Sequence, residues 1–312
     1  MTTVADGPMD NTPPAPPSRA MAYWMATRSY SFPASIVSIF LGVALAWRGY
    51  GLPEGQTGSF DLLAFLLTLI GGLLAHAGGN VVNDYFDYVK GVDTKPEHGS
   101  GVLPQKLLTK GEMLIFAVQL LGGAALCGIL LLMRSPSLIG VVVPLALLGL
   151  FCAVAYTWFL KQIALGDLVI MTAFGLGLTL GAYGVQVPVA NLGQIGLVLL
   201  LSLPLTLLVD SILHANNIRD TQTDRAAGVT TVAAVLGPQG SQVFQGILIF
   251  GPLVLAIAFT LLRILPWSAL ATVLALPVLQ KAFKTGDVPF CAQSHMLFGL
   301  LYSIGIAAMP HP

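Results

Sequence analysis

Two short segments hold six of the chain's fourteen acidic residues, and both set acids beside asparagines at helical spacing. The first runs from Asn80 through Asn83, Asp84, Asp87 and Lys90 to Asp93. At 3.6 residues per turn, His76, Asn80, Asn83, Asp84 and Asp87 share one helix face. Gly91 then lets the chain turn, so that Asp93 can fold back toward the same point. The second segment contains Asp210, His214, Asn216, Asn217, Arg219, Asp220 and Asp224. Asn217, Asp220 and Asp224 form one stripe if the helix continues that far.

Crowded carboxylates repel one another, and each costs roughly 2.5–3.5 kcal/mol at the middle of a bilayer, so something cationic must hold them. Asp and Asn oxygens without paired Cys or His suit Mg²⁺, which takes one or two carboxylates and completes its shell with water and substrate phosphate. Two such half-sites facing each other would clamp a diphosphate. Lys90, Lys161 and Arg219 would neutralise further phosphate oxygens, Arg in bidentate fashion. Helix capping accounts for Asp84 or Asp93 taken singly but not for two paired stripes. His76 and His214 read as hydrogen-bonded packing residues, because Mg²⁺ prefers oxygen. Asp210, an acid well inside an apolar run, is a functional candidate by default.

The elements that must position these groups are membrane helices. Of 312 residues 55% are hydrophobic and 9% charged, with a mean hydropathy of +0.82, which excludes a water-soluble globule. Fourteen basic residues balance fourteen acidic ones, so there is no basic face for a nucleic acid. Cys127, Cys152 and Cys291 lie in apolar runs without paired spacing and read as small packing residues. Residues 1–20, rich in proline and small polar side chains, are expected to be a disordered tail, with 21–312 a single transmembrane domain. Uncharged runs recur at 31–48, 60–82, 112–133, 138–160, 166–186, 192–216, 243–262, 266–280 and 288–308. Most approach the roughly 20 residues needed to span a bilayer. The expected fold is therefore all-α, a multi-pass bundle of about nine helices, in which 266–280 is the shortest crossing and carries Pro277.

With the N-terminus cytoplasmic, the inner loops hold eleven of the fourteen basic residues, and only Arg48, Arg134 and Arg263 lie outside. Helices two and six have the same parity, so the two acidic segments, 134 residues apart, end on the same side.

These residues resemble the UbiA superfamily of membrane prenyltransferases, and within it the 1,4-dihydroxy-2-naphthoate polyprenyltransferases of menaquinone biosynthesis. The resemblance rests on Asn83 to Thr94, on Tyr156-Thr157 with Lys161 and Leu165-Gly166-Asp167, and on Ile212 to Asp220 continuing through Asp224 to Gly228. The Ile-Leu-His-Ala-Asn-Asn-x-Arg-Asp stretch looks like a naphthoate-type signature, as do the five residues between Asp87 and Asp93 where the benzoate branch usually has three. The chain departs at Gly101, where naphthoate enzymes commonly place an arginine.

The resemblance implies a UbiA-type helical fold and Mg²⁺-dependent transfer from a polyprenyl diphosphate to an aromatic acid acceptor, with decarboxylation to demethylmenaquinone. It implies Asn83, Asp87, Asp93, Asn217, Asp220 and Asp224 as metal ligands. It assigns Asn80, Lys90, Lys161, Asn216 and Arg219 to the diphosphate, and Asp84, Tyr156, Lys161 and Arg219 to catalysis, Asp84 as base and Tyr156 facing the prenyl cation. The expected setting is the bacterial inner (plasma) membrane, in contact with lipid, with the site toward the cytoplasm and no obligatory protein partner. Alternatives are a related transferase for 4-hydroxybenzoate, homogentisate or a lipid alcohol, or a secondary transporter.

Overall fold

The computed structural model describes residues 17–310, except 54, 93–94, 97–98, 159, 161–162, 190 and 227. Most of the expected tail, residues 1–16, lies outside the described residues; α1 (Arg19–Ala26) begins with Ser18 capping it. The described residues contain twelve α-helices and no strand. A single parallel bridge joins Ile163 to Thr230.

Seven segments are long and apolar enough to cross a membrane unaided. They are α3 (Leu62–Val89), α4 (Lys110–Arg134), α5 (Ile139–Trp158, with the preceding turn), the run from α6 (Gly166–Ile170) to α7 (Leu178–Gln186), α8 (Leu192–Arg219), α10 (Val232–Leu261) and α12 (Val288–Ala308). An eighth combines α1 and a 3₁₀ turn with α2 (Pro33–Trp47), across a 53° bend. Pro33 explains the break, since it starts α2 where its missing N–H has no helical partner to lose.

The shortest expected crossing, 266–280, is not among these spans. Residues 267–285 form a 3₁₀ stretch, Trp267–Ala275, followed by α11 (Leu276–Thr285). A 3₁₀ helix rises about 2.0 Å per residue against 1.5 Å in an α-helix, so this segment reaches about 33 Å. It runs antiparallel to α12 along its length: the Ser268 hydroxyl donates to the Gly305 carbonyl, while the Lys281 ammonium lies over the Phe290 ring. Gly305 permits this approach, because a Cβ there would meet the Ser268 carbonyl oxygen at 2.6 Å.

The most buried spanning helix is α8, which packs against α10, α12, α2 and the α6–α7 run. By contrast α4 and α5 turn apolar side chains such as Ile115, Val118, Met133, Leu147 and Phe151 outward. In water that surface would be a large exposed apolar patch; against lipid it is the ordinary outer face of a multi-pass membrane protein.

The two ends of the bundle differ. At one end Arg48 donates to the Ala307 carbonyl, and Arg134 pairs with Asp61, whose backbone meets Gln186. The C-terminal ends of α3 and α8 lie at the other. There the 99–109 loop plugs Val102, Leu103 and Leu108 into a cluster with Ala22, Ala26, Val81 and Met113.

Candidate active site

At its C-terminal end α3 presents the expected face. Asp84 and Asp87 are buried, Asn83 is half-buried, and Lys90 is exposed at the C-cap. The Asn83 amide donates to the Asp87 carboxylate at 3.0 Å, one turn along the helix. Asp84 points elsewhere: the Arg28 guanidinium pairs with one of its oxygens, and the Ser100 backbone N–H donates to the other at 3.1 Å. Asn80 is taken up by packing, its amide donating to the Thr27 carbonyl at 2.9 Å and to the Ser31 hydroxyl at 3.2 Å. His76 is a packing residue here, bracketed by the hydroxyls of Ser31 and Ser35 at 3.0 and 2.8 Å and by the Phe32 and Phe174 rings. Asp93 lies outside the described residues.

On α8 the helix does not continue unbroken through the second stripe. Asp220 is its C-cap, and α9 (Thr221–Ala226) resumes at once, so Asn217 and Asp224 are both buried along one side. Arg219 grips Asp220 in a two-pronged contact, both bonds 2.7 Å. Asn216 is half-buried, and its carbonyl closes the last turn by accepting the Asp220 N–H at 2.9 Å. Tyr156 is half-buried against Cys152, Leu160 and Val169. Lys161 lies outside the described residues; after it, Ile163 bridges to Thr230 and the Ala164 N–H donates to the Thr230 carbonyl at 2.7 Å, beyond α9.

The turn between α1 and α2 packs on the first cluster: Arg28, in a left-handed conformation with φ 50°, reaches Asp84 on α3. The opposite end of the bundle relates the two clusters. The Asp61 N–H at the start of α3 donates to Gln186 at the end of α7, and Gln194 near the start of α8 donates to the Tyr183 hydroxyl of α7. The two helices therefore run parallel, and both acidic segments emerge at one end of the bundle.

Two groups of this region are absent from the expected site. Arg28 stood in the sequence only as one basic residue among fourteen. Asp167, at the start of α6, is buried, with one oxygen accepting from the Asn217 amide at 3.5 Å and the other facing His214 Nδ1 at 3.4 Å. Its signal is its place in the Leu165-Gly166-Asp167 stretch that carries the resemblance, to which the sequence attaches no role.

Asp87, Asp167 and Asp224 place buried carboxylate oxygens at this end of the bundle, and buried charge of one sign calls for cationic partners. The donor set is all oxygen, which fits a hard divalent ion. Among the described residues no three His, Cys, Asp or Glu side chains converge into a cage, so water and a phosphorylated ligand would have to complete any such shell.

Comparison with known proteins follows the same line. A family model described as the UbiA prenyltransferase family matches residues 35–301. UbiA prenyltransferase domain-containing protein 1 of Danio rerio is 34% identical over 303 residues, covering 94% of this chain and 86% of that protein. The Drosophila melanogaster homolog is 35% identical over 295 residues, covering 90% and 78%. The fold is similar to the apo structure of a UbiA homolog from Aeropyrum pernix K1, with a TM-score of 0.62 at 16% identity over 94% of this chain and 99% of the other. It is also similar to that of a UbiA homolog from Archaeoglobus fulgidus bound to GPP and Mg²⁺, with a TM-score of 0.60 at 11% identity over 92% and 100%.

Proposed function

The chain belongs to the UbiA prenyltransferase family and is a membrane prenyltransferase; we propose that it moves a polyprenyl group from its diphosphate to a ring carbon of 1,4-dihydroxy-2-naphthoate, with loss of CO₂. The observation that carries the diphosphate half is the pair of oxygen-rich segments at one end of the bundle, where the parallel helices α3 and α8 both terminate. An Archaeoglobus relative of the same fold is described with GPP and Mg²⁺, which supports the same ligands here.

Asn83, Asp87 and Asp93 would hold one Mg²⁺, and Asn217, Asp220 and Asp224 another. Bound there, the ions neutralise charge that grows on the diphosphate as the allylic C–O bond breaks. Lys90, Lys161 and Arg219, with the amide of Asn216, are proposed to hold the remaining phosphate oxygens; Asn80, whose amide is spent on Thr27 and Ser31, drops out of that set. The carbon left electron-poor is shielded from water by the apolar bundle, and Tyr156 offers it an aromatic face worth roughly 0.5–2 kcal/mol. A new C–C bond forms at the carboxyl-bearing ring carbon, and the carboxylate leaves as CO₂, its electron pair returning to the ring. The contacts of Asp84 with Arg28 and Ser100 favour a role in holding Arg28 over the proton-abstracting role expected from sequence. The basic excess at this end supports a site facing the cytoplasm.

Naphthoate as acceptor rests on the signature from Ile212 to Asp220. The test is mass spectrometry of products formed from a polyprenyl diphosphate and a panel of naphthoate, 4-hydroxybenzoate, homogentisate and lipid alcohols, with and without Mg²⁺. Prenylated, decarboxylated naphthoate in the Mg²⁺ samples is expected. Conversion of another acceptor alone would replace the naphthoate assignment, and turnover indifferent to divalent ions would remove the metal scheme.

A further inference from the structure

Each acidic stripe contains one asparagine whose amide N–H is held by a carboxylate, but the carboxylates come from different places. For Asn83 the partner is Asp87, one turn on in the same helix. Asn217 has no such neighbour: one turn on stands Thr221, whose hydroxyl donates back to the Asn217 carbonyl at 2.7 Å. Its amide N–H instead goes to Asp167 on α6, fifty residues away. An amide whose NH₂ is held in this way must aim its oxygen in the opposite direction, and only that oxygen can ligate a hard cation.

Asp167 is itself held in place. Behind it His214 Nδ1 faces its second oxygen at 3.4 Å, out of line for a hydrogen bond. The imidazole is fixed by the Ser241 carbonyl at 3.3 Å from Nε2 and by the Phe244 ring at 4.8 Å. The α6–α8 register is locked two turns deeper, where a Cβ on Gly175 would lie 2.3 Å from the Thr206 hydroxyl. Gly175 belongs to a π-helical stretch, Met171–Gly177, a distortion common beside functional sites.

We propose that Asp167 is a positioning residue: it orients the Asn217 amide so that the oxygen faces the cation, with His214 and Ser241 behind it as the outer support. The proposal rests on the cation-diphosphate reading above. Outer partners of metal ligands typically change affinity 10- to 100-fold when removed.

The experiment measures Mn²⁺ binding to the purified full-length protein by electron paramagnetic resonance, with inorganic pyrophosphate present. Asp167→Leu is expected to weaken Mn²⁺ binding 10- to 100-fold. In an Asn217→Asp background, where either rotamer presents an oxygen, adding Asp167→Leu is expected to cause no further loss. An unchanged affinity in Asp167→Leu, or an equal loss in both backgrounds, overturns the proposal. If the leucine variant does not fold, Asp167→Asn carries the test. Its side-chain oxygen still accepts the amide N–H, so its affinity stays within severalfold of the parent, and a loss as large in both backgrounds overturns the proposal. A parent protein that binds no Mn²⁺ with pyrophosphate would remove the site reading and this proposal with it, an outcome distinct from one in which only the Asp167 variants behave otherwise.

Discussion

In the proposed scheme, Asp87 and Asp220 are the residues on which transfer depends most directly. Replacing either with Ala deletes a proposed ligand without disturbing an apolar contact, so activity is expected to fall more than about 100-fold while the unfolding midpoint in detergent barely moves. Near-normal turnover in either variant, with prenyl diphosphate and Mg²⁺ supplied, would count against the scheme. The Arg28–Asp84 pair should behave differently. Arg28→Ala leaves a buried carboxylate without its guanidinium, a change that costs about 3–5 kcal/mol of stability. Thermal unfolding of Arg28→Ala beside Arg28→Ala/Asp84→Asn checks this: most of the loss should return in the double variant, because the charge that needed compensation is gone. His76 and Asp87 were legible from helical spacing alone. The partners of Asp84 were not, because Arg28 and Ser100 reach it from loops on either side of the helix.

At the scale of elements, the ends of α3 show what capping contributes. Asp61 accepts the Ala64 N–H at 3.0 Å and pairs with Arg134. The Ala64 N–H first, then the Arg134 guanidinium, hold its carboxyl below the usual range. A depressed folded value means that this contribution is complete above the unfolded value, about 3.9, and is lost as pH falls through the lowered folded one. The group is solvent-screened, so the cap is worth about 1 kcal/mol. Asp61→Ala is expected to lower the unfolding midpoint at pH 7 by that amount and to flatten its pH dependence below pH 4, whereas Asp61→Asn keeps the cap. Gly101 is the other informative position. The arginine common there in naphthoate enzymes could not be installed in this loop, because φ is +71° and a Cβ would meet the Pro96 carbonyl oxygen at 2.2 Å. Gly101→Ala should therefore destabilise by about 1–3 kcal/mol, read by the same unfolding assay.

For the whole molecule, the parallel course of α3 and α8 puts their acidic ends on one side. Counting apolar runs finds nine crossings, whereas seven helices, or eight with the bent α1–α2 pair, are long and apolar enough to span. A ninth requires the 267–285 segment, which gains length from its 3₁₀ half and lies along α12. Single cysteines at Lys284 and Arg263, both exposed and flanking this segment, test it with a membrane-impermeant maleimide. Opposite-side labelling is expected, and labelling of both from one side would make the segment re-entrant. Background should be low, because Cys127, Cys152 and Cys291 are buried.

The all-α class, the apolar spans and the two oxygen-rich stripes are properties of the amino-acid sequence itself, since hydropathy and 3.6-residue periodicity are local and need no partner to be seen. So is the family, whose motifs are contiguous. What the tertiary structure decided was pairing over long separations: Arg28 with Asp84, Asp167 with Asn217, and Thr230 with Ala164. An isolated arginine or aspartate looks alike whether it caps a helix, faces solvent or orients a ligand. Its role is set by which buried group the packing of other helices brings within about 3 Å, and that depends on how whole helices pack against one another.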